Sequence, residues 1–453
     1  MSEEEAQGLR AENQALRAEN AALRAENARL AGELQQRTTP PPAFVKQDTP
    51  PRAPKARRKR APEHNAGRRR GEPTRIVRHA YDYCPDCHYR LRGEAVARTR
   101  EVIELAPPPP VVITAHQVLK RYCPHCARWQ TPSIDWQAHG LVVGQGRLGQ
   151  RLTALIAYLR TAARLPVRTI QSYLQTVHGI TLSVGGISQV LDRVRQETAP
   201  ALGDLLAQAR SGDRLHADET GWREGGRNGY IWGLSRDGPD ALRYFAYDRS
   251  RAGAVALGLL GDFRGCLSSD FYAGYNAYHG RHQRCWVHLL RDLHDLRKDH
   301  PTDETVATWT QAVRALYDQA LAMLRRPRRR PWSVVERQAR FTHFEERART
   351  LGLIYAQQST HPCHTLAHRL LRHHGELFQF LRTPGVSPDN NHAERSLRHL
   401  VITRKISGGS QSAGGTQTRM ALASFFGTWQ ARGLNPFTAC LALLRHPLSF
   451  HQV

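Results

Sequence analysis

Three acidic residues of this chain stand where hard-oxygen chemistry can be built. Glu394 lies in SPDNNHAERSLRHLVITRK (387–405), its carboxylate set among amides and bases. Ser387-Pro388-Asp389-Asn390 carries N-cap chemistry, so a helix is expected to begin near Asn391. On it Asn390, Asn391 and Arg398 stand three or four positions from Glu394 and share its face. Asp218 lies in RLHADETGWRE, where alternation puts Leu215 and Ala217 on one side of a strand and His216, Asp218 and Thr220 on the other. Asp270, in GCLSSDFYAGYNAY, follows the short apolar run Cys266-Leu267 and precedes a turn. Singly, each has an ordinary reading: Glu394 complements a helix dipole, and the aspartates are loop acids. Together, acids at the ends of strand, strand and helix suit a two-metal phosphoryl-transfer site, because Mg²⁺ (or Mn²⁺) needs hard oxygen ligands with positions left open for phosphate.

The elements that must hold these acids are legible as a mixed sheet. RLHADETGWR, GYIWGLSR and ALRYFAYD read as strands, followed by a helix from Ala252 to Leu260 and the strand before Asp270. Cys285-Trp-Val-His288 then starts a helix; His288 is read as a site-lining residue that contacts phosphate, against the alternative of a packed core pair. Asp303 to Leu381 is helical in pattern, broken by RRPRRRP (325–331) and Pro362, and a helical insertion accounts for the 123 residues between Asp270 and Glu394. After Glu394, RKISGGSQSAGGTQTR is basic and glycine-rich, so its backbone can approach a phosphate closely, or simply form a flexible loop. The helices Met420–Ala431 and Pro436–Arg445 are expected to pack on the sheet.

Upstream, Leu148–Arg164, Val167–His178 and Val184–Glu197 have helical apolar spacing, with Pro166 opening the second, Gly179 closing it and Ser183 capping the third. Such helices fit a helix-turn-helix, whose last helix enters a major groove, or a plain packing module. Cys84-Pro-Asp-Cys87 and Cys123-Pro-His-Cys126 are two Cys-x2-Cys knuckles 35 residues apart, the pattern of a tetrahedral structural Zn²⁺ site, and the alternating segment between them is expected to form the strands of a zinc ribbon. A redox role lacks a thioredoxin-like context.

At the N-terminus, RAENQAL, RAENAAL and RAENARL place Leu9, Leu16, Leu23 and Leu30 at d and Asn13, Asn20 and Asn27 at a, a short parallel dimeric coiled coil. The stretch from Arg37 to Arg75 is Pro- and Arg-rich with nothing to form a core, and its ten Lys and Arg against two acids between Arg52 and Arg75 either grip a DNA backbone without reading sequence or serve as a purely solvated spacer.

Composition agrees. A net charge of +25 over 453 residues, with pI near 10.4, points to a polyanion. An anionic membrane is the rival to a nucleic acid as that partner. No run of 18 apolar residues or signal-peptide pattern occurs, so a soluble, intracellular protein is expected, and double-stranded DNA as the partner is what the resemblance given below implies. The expected location is cytoplasmic and nucleoid-associated, with thiols reduced or on metal.

The stretches HADETGWRE, SSDFYAGYNAY, RCWVHLLRD and PDNNHAERSLRHLVITRK, in that order, resemble the catalytic blocks of the DDE transposases of the insertion sequence 66 family, and the likeness runs along the chain, weakest before Tyr81. The resemblance implies an RNase H-like fold with Asp218, Asp270 and Glu394 as its acidic triad. It also implies an enzyme that cleaves insertion-sequence ends to a 3′-OH and joins them to target DNA, with accessory proteins of the same element as further partners. The Cys285/His288 pair resembles the Cys-x2-His signature of related DDE enzymes, and Cys285, His288, Asn391, Arg395, Arg398, Arg404 and Lys405 are the supporting or DNA-contacting residues. The expected architecture is multidomain α+β: coiled coil (1–36), basic linker (37–78), zinc ribbon (79–140), helix-turn-helix-like domain (145–210), RNase H-like α/β core (211–299 and 386–453) and helical insertion (300–385). The competing functions are a domesticated, non-catalytic DNA-binding regulator, whose mark would be loss of an acid, and a nuclease without strand transfer.

Overall fold

The computed structural model describes residues 3–36, 72–446 and 450, apart from 101, 106, 107, 109, 138, 328 and 329, with side chains of the first helix given from 14 to 30. The chain divides into two units, Met1–Leu105 and Ala106–Val453. In the first, α1 (Glu3–Gln36) is one uninterrupted helix. Its heptad leucines Leu16, Leu23 and Leu30 are about half exposed, 50, 56 and 47%, which leaves the seam of the heptad pattern uncovered within the single chain. The basic linker falls on residues 37–71, outside the described ones. The first knuckle folds as a tight turn, with Cys84 N donating to Tyr89 O (2.9 Å) and His88 N to Cys84 O (2.9 Å).

In the second unit, β1 (Arg121–Cys123) and β2 (Arg128–Gln130) pair antiparallel around the second knuckle. The longer strands expected between the knuckles do not form: none occurs among the described residues from Leu91 to Lys120. Pro107 to Pro110 cannot donate to a ladder, and Val96, Ile103, Val112 and Ile113 are all exposed, with no core to hold an alternating face.

The helices α2 (Gln150–Thr161), α3 (Val167–His178), α4 (Val184–Glu197) and α5 (Ala199–Arg210) follow. Pro166 precedes α3, Gly179 ends it in a left-handed conformation, and the Ser183 hydroxyl accepts from Gly186 N at 2.9 Å. These helices share one hydrophobic core with the sheet, Ile170, Leu174, Ile187 and Leu191 clustering with Leu215, Ala217, Phe425 and Trp429. They are built into the core rather than appended to it.

The sheet consists of β3 (Arg214–Glu224), β4 (Arg227–Arg236), β5 (Leu242–Asp248), β6 (Cys266–Ser269) and β7 (Arg281–Arg284), in the order β5-β4-β3-β6-β7. It is mixed: β3, β4 and β5 run antiparallel, while β3, β6 and β7 run parallel. Gly225 and Gly226, both with positive φ (56° and 78°), make the two-residue turn between β3 and β4, a conformation that matches the twist of a hairpin. Central in the sheet, β3 buries Leu215, His216 and Ala217 alike, so the single buried face expected from alternation becomes two. The helix α6 (Gly253–Leu260) precedes β6, and α7 (Trp286–Asp299) starts directly after β7 with Cys285 as its N-cap.

The expected insertion is α8 (Glu304–Arg325), α9 (Val334–Tyr355), α10 (His364–His373) and α11 (Gln379–Arg382). Asp303 caps α8, and Ser333 with Glu336 forms a capping box on α9. With α7 these helices form a second core around Trp286, Trp309, Phe344 and Phe378. The chain ends with α12 (Asn391–Ser407), α13 (Ala413–Ala431) and α14 (Pro436–Arg445). The hydroxyls of Ser424 and Thr428 on α13 accept from Phe245 N (2.8 Å) and Arg243 N (2.9 Å), which satisfies the otherwise open edge of β5. The helix α14 packs chiefly on α2 and α13, its Cys440, Leu443 and Leu444 joining the same hydrophobic core as the sheet residues Leu215 and Trp232. No helix among the described residues is long and apolar enough to cross a membrane.

Candidate active site

The parallel pairing of β3 with β6 ends at His216 and Ser268. Two residues further on, the neighbouring chains, about 5 Å apart, reach Asp218, which lies in the middle of β3 and not at a strand end as expected, and Asp270, just past the end of β6. Glu394 comes from α12, one turn past its start. The placement of that helix is not left to packing alone. Asn390 is buried, donates Nδ2–H to Ala217 O at 2.8 Å, and faces His216 Nδ1 with its Oδ1 at 3.1 Å. Because its amide nitrogen is committed to a carbonyl, its oxygen must accept, which puts the His216 proton on Nδ1. Asn390 N also donates to Cys285 Sγ (3.2 Å), tying α12 to the start of α7. The cap of α12 differs in detail from expectation: Asn390 makes no side-chain cap, and Asp389 Oδ1 accepts from Asn391 N instead (3.1 Å).

Electrostatics unite the acids. Burial, then the charges of Glu219, Asp270 and, more weakly, Glu394 push the Asp218 carboxyl up to about 8, against the backbone N–H of Glu219 at 3.0 Å that favours its charge. A carboxylate so disfavoured by its neighbours is a place where a cation is stabilising, and all three donors are hard oxygens. Among the described residues, no three Asp, Glu, His or Cys side chains converge closely enough to hold an ion. His288 stands by the third acid, its Nε2 3.7 Å from Glu394 Oε1, while its Nδ1 is enclosed without a partner.

The supporting residues separate. Cys285 is fully buried, so it positions α12 and does not meet DNA. Arg404 donates to Gly221 O and, at 3.4 Å, to Thr220 Oγ1, which binds the far end of α12 to β3. The charge of Arg395 is felt at Arg243 and His392. Asn391 is half-buried, and Arg398 and Lys405 are exposed on α12.

Two groups around the site were not singled out by sequence. Glu219, next to Asp218, receives Arg251 Nη2 (2.7 Å) and the Tyr275 hydroxyl (2.9 Å); burial nevertheless raises its carboxyl, with the charge of Asp270 contributing. Behind Asp270, the fully buried Arg284 donates to Asp270 O (2.8 Å), Asn276 Oδ1 (2.6 Å) and Glu376 Oε2 (2.6 Å), the last supplied by the insertion. Burial pulls Glu376 upward, but the hydrogen bond from His373 and the charge of Arg284 outweigh it and bring it to about 2. Burial and Arg284 in turn hold His282 down at about 3, so it is neutral at ordinary pH and bonds Ser269 Oγ at 2.8 Å. The adjacency of Arg284 to Cys285 in RCWVHLL was the one signal for this network in the sequence.

In each knuckle the first thiol is pulled down by backbone N–H groups, Cys84 by those of Cys87 and Asp86, Cys123 by that of Cys126. Such turns favour thiolates, the form that binds metal.

A family model described as "Transposase IS66 family" matches residues 145–418, from the helices before the sheet to the start of α13. Among similar proteins are two uncharacterized proteins of Sinorhizobium fredii. One, y4qI, is 26% identical over 65% of this chain and 59% of its own length; the other, y4jD, is 26% identical over 78% of this chain and 72% of its own length. The chain thus spans about three fifths of the length of y4qI.

Proposed function

The chain belongs to the IS66 family of transposases, and from that premise we propose that it is a DDE-type enzyme with an RNase H-like core, cleaving element ends to a 3′-OH and transferring that hydroxyl to target DNA. The observation that carries the reading is the parallel pairing of β3 with β6, which runs to within two residues of both Asp218 and Asp270, with Asn390 holding the start of the helix of Glu394 to Ala217 of β3. A sheet with three antiparallel and two parallel strands supports the fold assignment.

Asp218, Asp270 and Glu394 would hold the divalent ions. When bound there, Mg²⁺ or Mn²⁺ would neutralise charge on the scissile phosphate and favour in-line displacement. The chain's own residues do the rest. Arg284 holds the backbone of Asp270 from behind, Asn390 and His216 lock the start of α12, and His288 lies where it can hydrogen-bond a phosphate oxygen next to Glu394. Exposed Arg398 and Lys405 supply charge for the DNA backbone, together with the basic linker. Cys84, Cys87, Cys123 and Cys126 would hold one structural zinc ion, which organises the segment before the core without taking part in phosphoryl transfer. The uncovered leucine seam of α1 fits a second copy of the chain, which would bring two active sites to two DNA ends.

The test is direct: purified protein, Mg²⁺ and linear DNA carrying an element end, with products mapped for a 3′-OH at the end and for joining to a plasmid. Binding without either product over a full titration of Mg²⁺ and Mn²⁺ would transfer support to the non-catalytic regulator.

A further inference from the structure

At the junction of α2, α4, α12 and α13 lies a cavity of about 530 Å³, within the range of about 300–1,000 Å³ typical of small-ligand sites. Two guanidinium groups line it, Arg160 from α2 and Arg419 from α13, and neither meets a carboxylate. Arg160 gives Nη1–H to Leu165 O at 2.9 Å. Arg419 lies over the ring of Trp222, 5.5 Å from its centroid, with its Nε enclosed and without an acceptor. Asp192 also lines the cavity, but it is already engaged by Arg195 Nε (2.9 Å), Gln196 Nε2 (2.7 Å) and Thr418 Oγ1 (2.9 Å). Burial, reinforced by Arg160, therefore draws Arg419 down to about 9, the opposite of what an ion pair does to an arginine. A half-buried guanidinium with an enclosed Nε and no counter-charge is costly to fold around, and natural proteins keep such groups where a ligand completes them.

The wall facing these arginines is built to admit an anion. The loop between α12 and α13 is fixed to the end of β3 by Ser410 N to Arg223 O and Gly225 N to Ser410 O, each 2.9 Å. A Cβ on Gly409 would fall 2.1 Å from Arg223 O, so only glycine allows this seating. The loop delivers the first turn of the 19-residue α13 to the cavity, where Gly414 and Gly415 line it. The Gly415 N–H is taken by Ser412 Oγ at 3.2 Å, whereas a Cβ on Gly414 would meet nothing within 4 Å, so the helix start is open to an anion there. The remaining wall includes Leu191, Leu400 and Leu422, apolar surface suited to the uncharged part of a larger ligand.

We propose that this cavity binds the phosphate group of a nucleotide, with Arg419 and Arg160 as its counter-ions. The proposal deepens the transposase reading and rests on it only for the source of the nucleotide, a strand of bound DNA. A free mononucleotide presents the same chemistry.

The test uses the full chain without added divalent metal, at constant ionic strength, following thermal unfolding against deoxyadenosine 5′-monophosphate, inorganic phosphate and chloride. Wild type should be stabilised by the nucleotide and, less, by phosphate, relative to chloride. Arg419→Gln should weaken the apparent nucleotide affinity at least tenfold, while unfolding without ligand at the same or a higher temperature than wild type, since an uncompensated charge has gone. Equal nucleotide responses in wild type and variant, or no response in wild type, overturn the proposal. Should Arg419→Gln be destabilised through loss of its contact with Trp222, Arg160→Gln decides instead: a weakened response upholds the site and an unchanged one overturns it. Excess short duplex that abolishes the mononucleotide response assigns the site to a nucleotide held in DNA; persistence of the response assigns it to free nucleotide. Because no cleavage is read, Asp218→Asn should give the same nucleotide response, and failure of the cavity is thereby separable from failure of the transposase reading.

Discussion

Arg284→Met should cost more than its position on an edge strand suggests, because this side chain joins the insertion to the backbone of Asp270. It is fully buried and makes three short bonds, to Glu376 (2.6 Å), Asn276 (2.6 Å) and Asp270 O (2.8 Å). Removing one member of a buried ion pair costs about 3–5 kcal/mol. Glu376 remains 33% exposed, so water partly compensates it and about 3 kcal/mol is the expected loss. Glu376→Gln keeps the shape and some hydrogen bonding and should cost about 1–2 kcal/mol. Urea denaturation of both single variants and the double variant closes the cycle. The two groups should couple by about 2 kcal/mol, the double variant being less destabilised than the sum. In conditions where Arg284→Met stays folded, its cleavage should fall by about 100-fold, the cost of a misplacement near 1 Å at a reacting centre. Additive effects within about 0.5 kcal/mol, or full cleavage by folded Arg284→Met, would refute the claim that Arg284 sets the position of Asp270.

Acid should unfold the protein through its buried imidazoles. His282 and His399 are held at about 3 and about 4, chiefly by burial, so their contribution is complete above the unfolded value of 6.5 and is lost as pH falls below it, when only the unfolded chain takes up the protons. The loss is about 1.4 kcal/mol per pH unit for each, and urea midpoints between pH 7 and 5 should fall less steeply in His282→Gln. Zinc should co-purify at about one ion per chain, and Cys84→Ser with Cys123→Ser should abolish it; full retention would remove the joint site. Mass in solution should drop to that of a single chain when residues 1–36 are deleted, and an unchanged monomer before and after deletion would remove the coiled-coil pairing.

What the sequence made legible follows from where the signal was local. Gly179 and Ser183 bound their helices as read, because caps are written in one or two residues. The strands β3 to β5 were visible from the alternation of Leu215 and Ala217 with polar residues in β3 and from the aromatic-rich runs Tyr230-Ile231-Trp232 in β4 and Tyr244-Phe245 in β5. By contrast β7, Arg281-His-Gln-Arg284, carries no apolar pattern, since its buried polar groups are satisfied by residues about ninety positions later: Gln283 bonds Leu377 O at 2.9 Å and Phe380 N at 3.0 Å. For the same reason Arg284 and Glu376 stayed hidden, each looking like a surface charge until the insertion folds over the sheet. Asn390 was read as a helix cap, a local role; its bonds to His216 and Ala217 lie more than 170 residues away in sequence. The cavity with Arg160 and Arg419 likewise needs two helices far apart in the chain.

The most direct test of the central claim is element-end cleavage with Mg²⁺ by Asp218→Asn, Asp270→Asn and Glu394→Gln beside Asp389→Asn, each checked for folding and DNA binding. The three acids are assigned to metal, whereas Asp389 caps α12 through Asn391 N at 3.1 Å, a task asparagine also performs. The account predicts that the first three bind DNA but do not cut, and that Asp389→Asn cuts nearly as wild type. Cleavage by all three triad variants would contradict it.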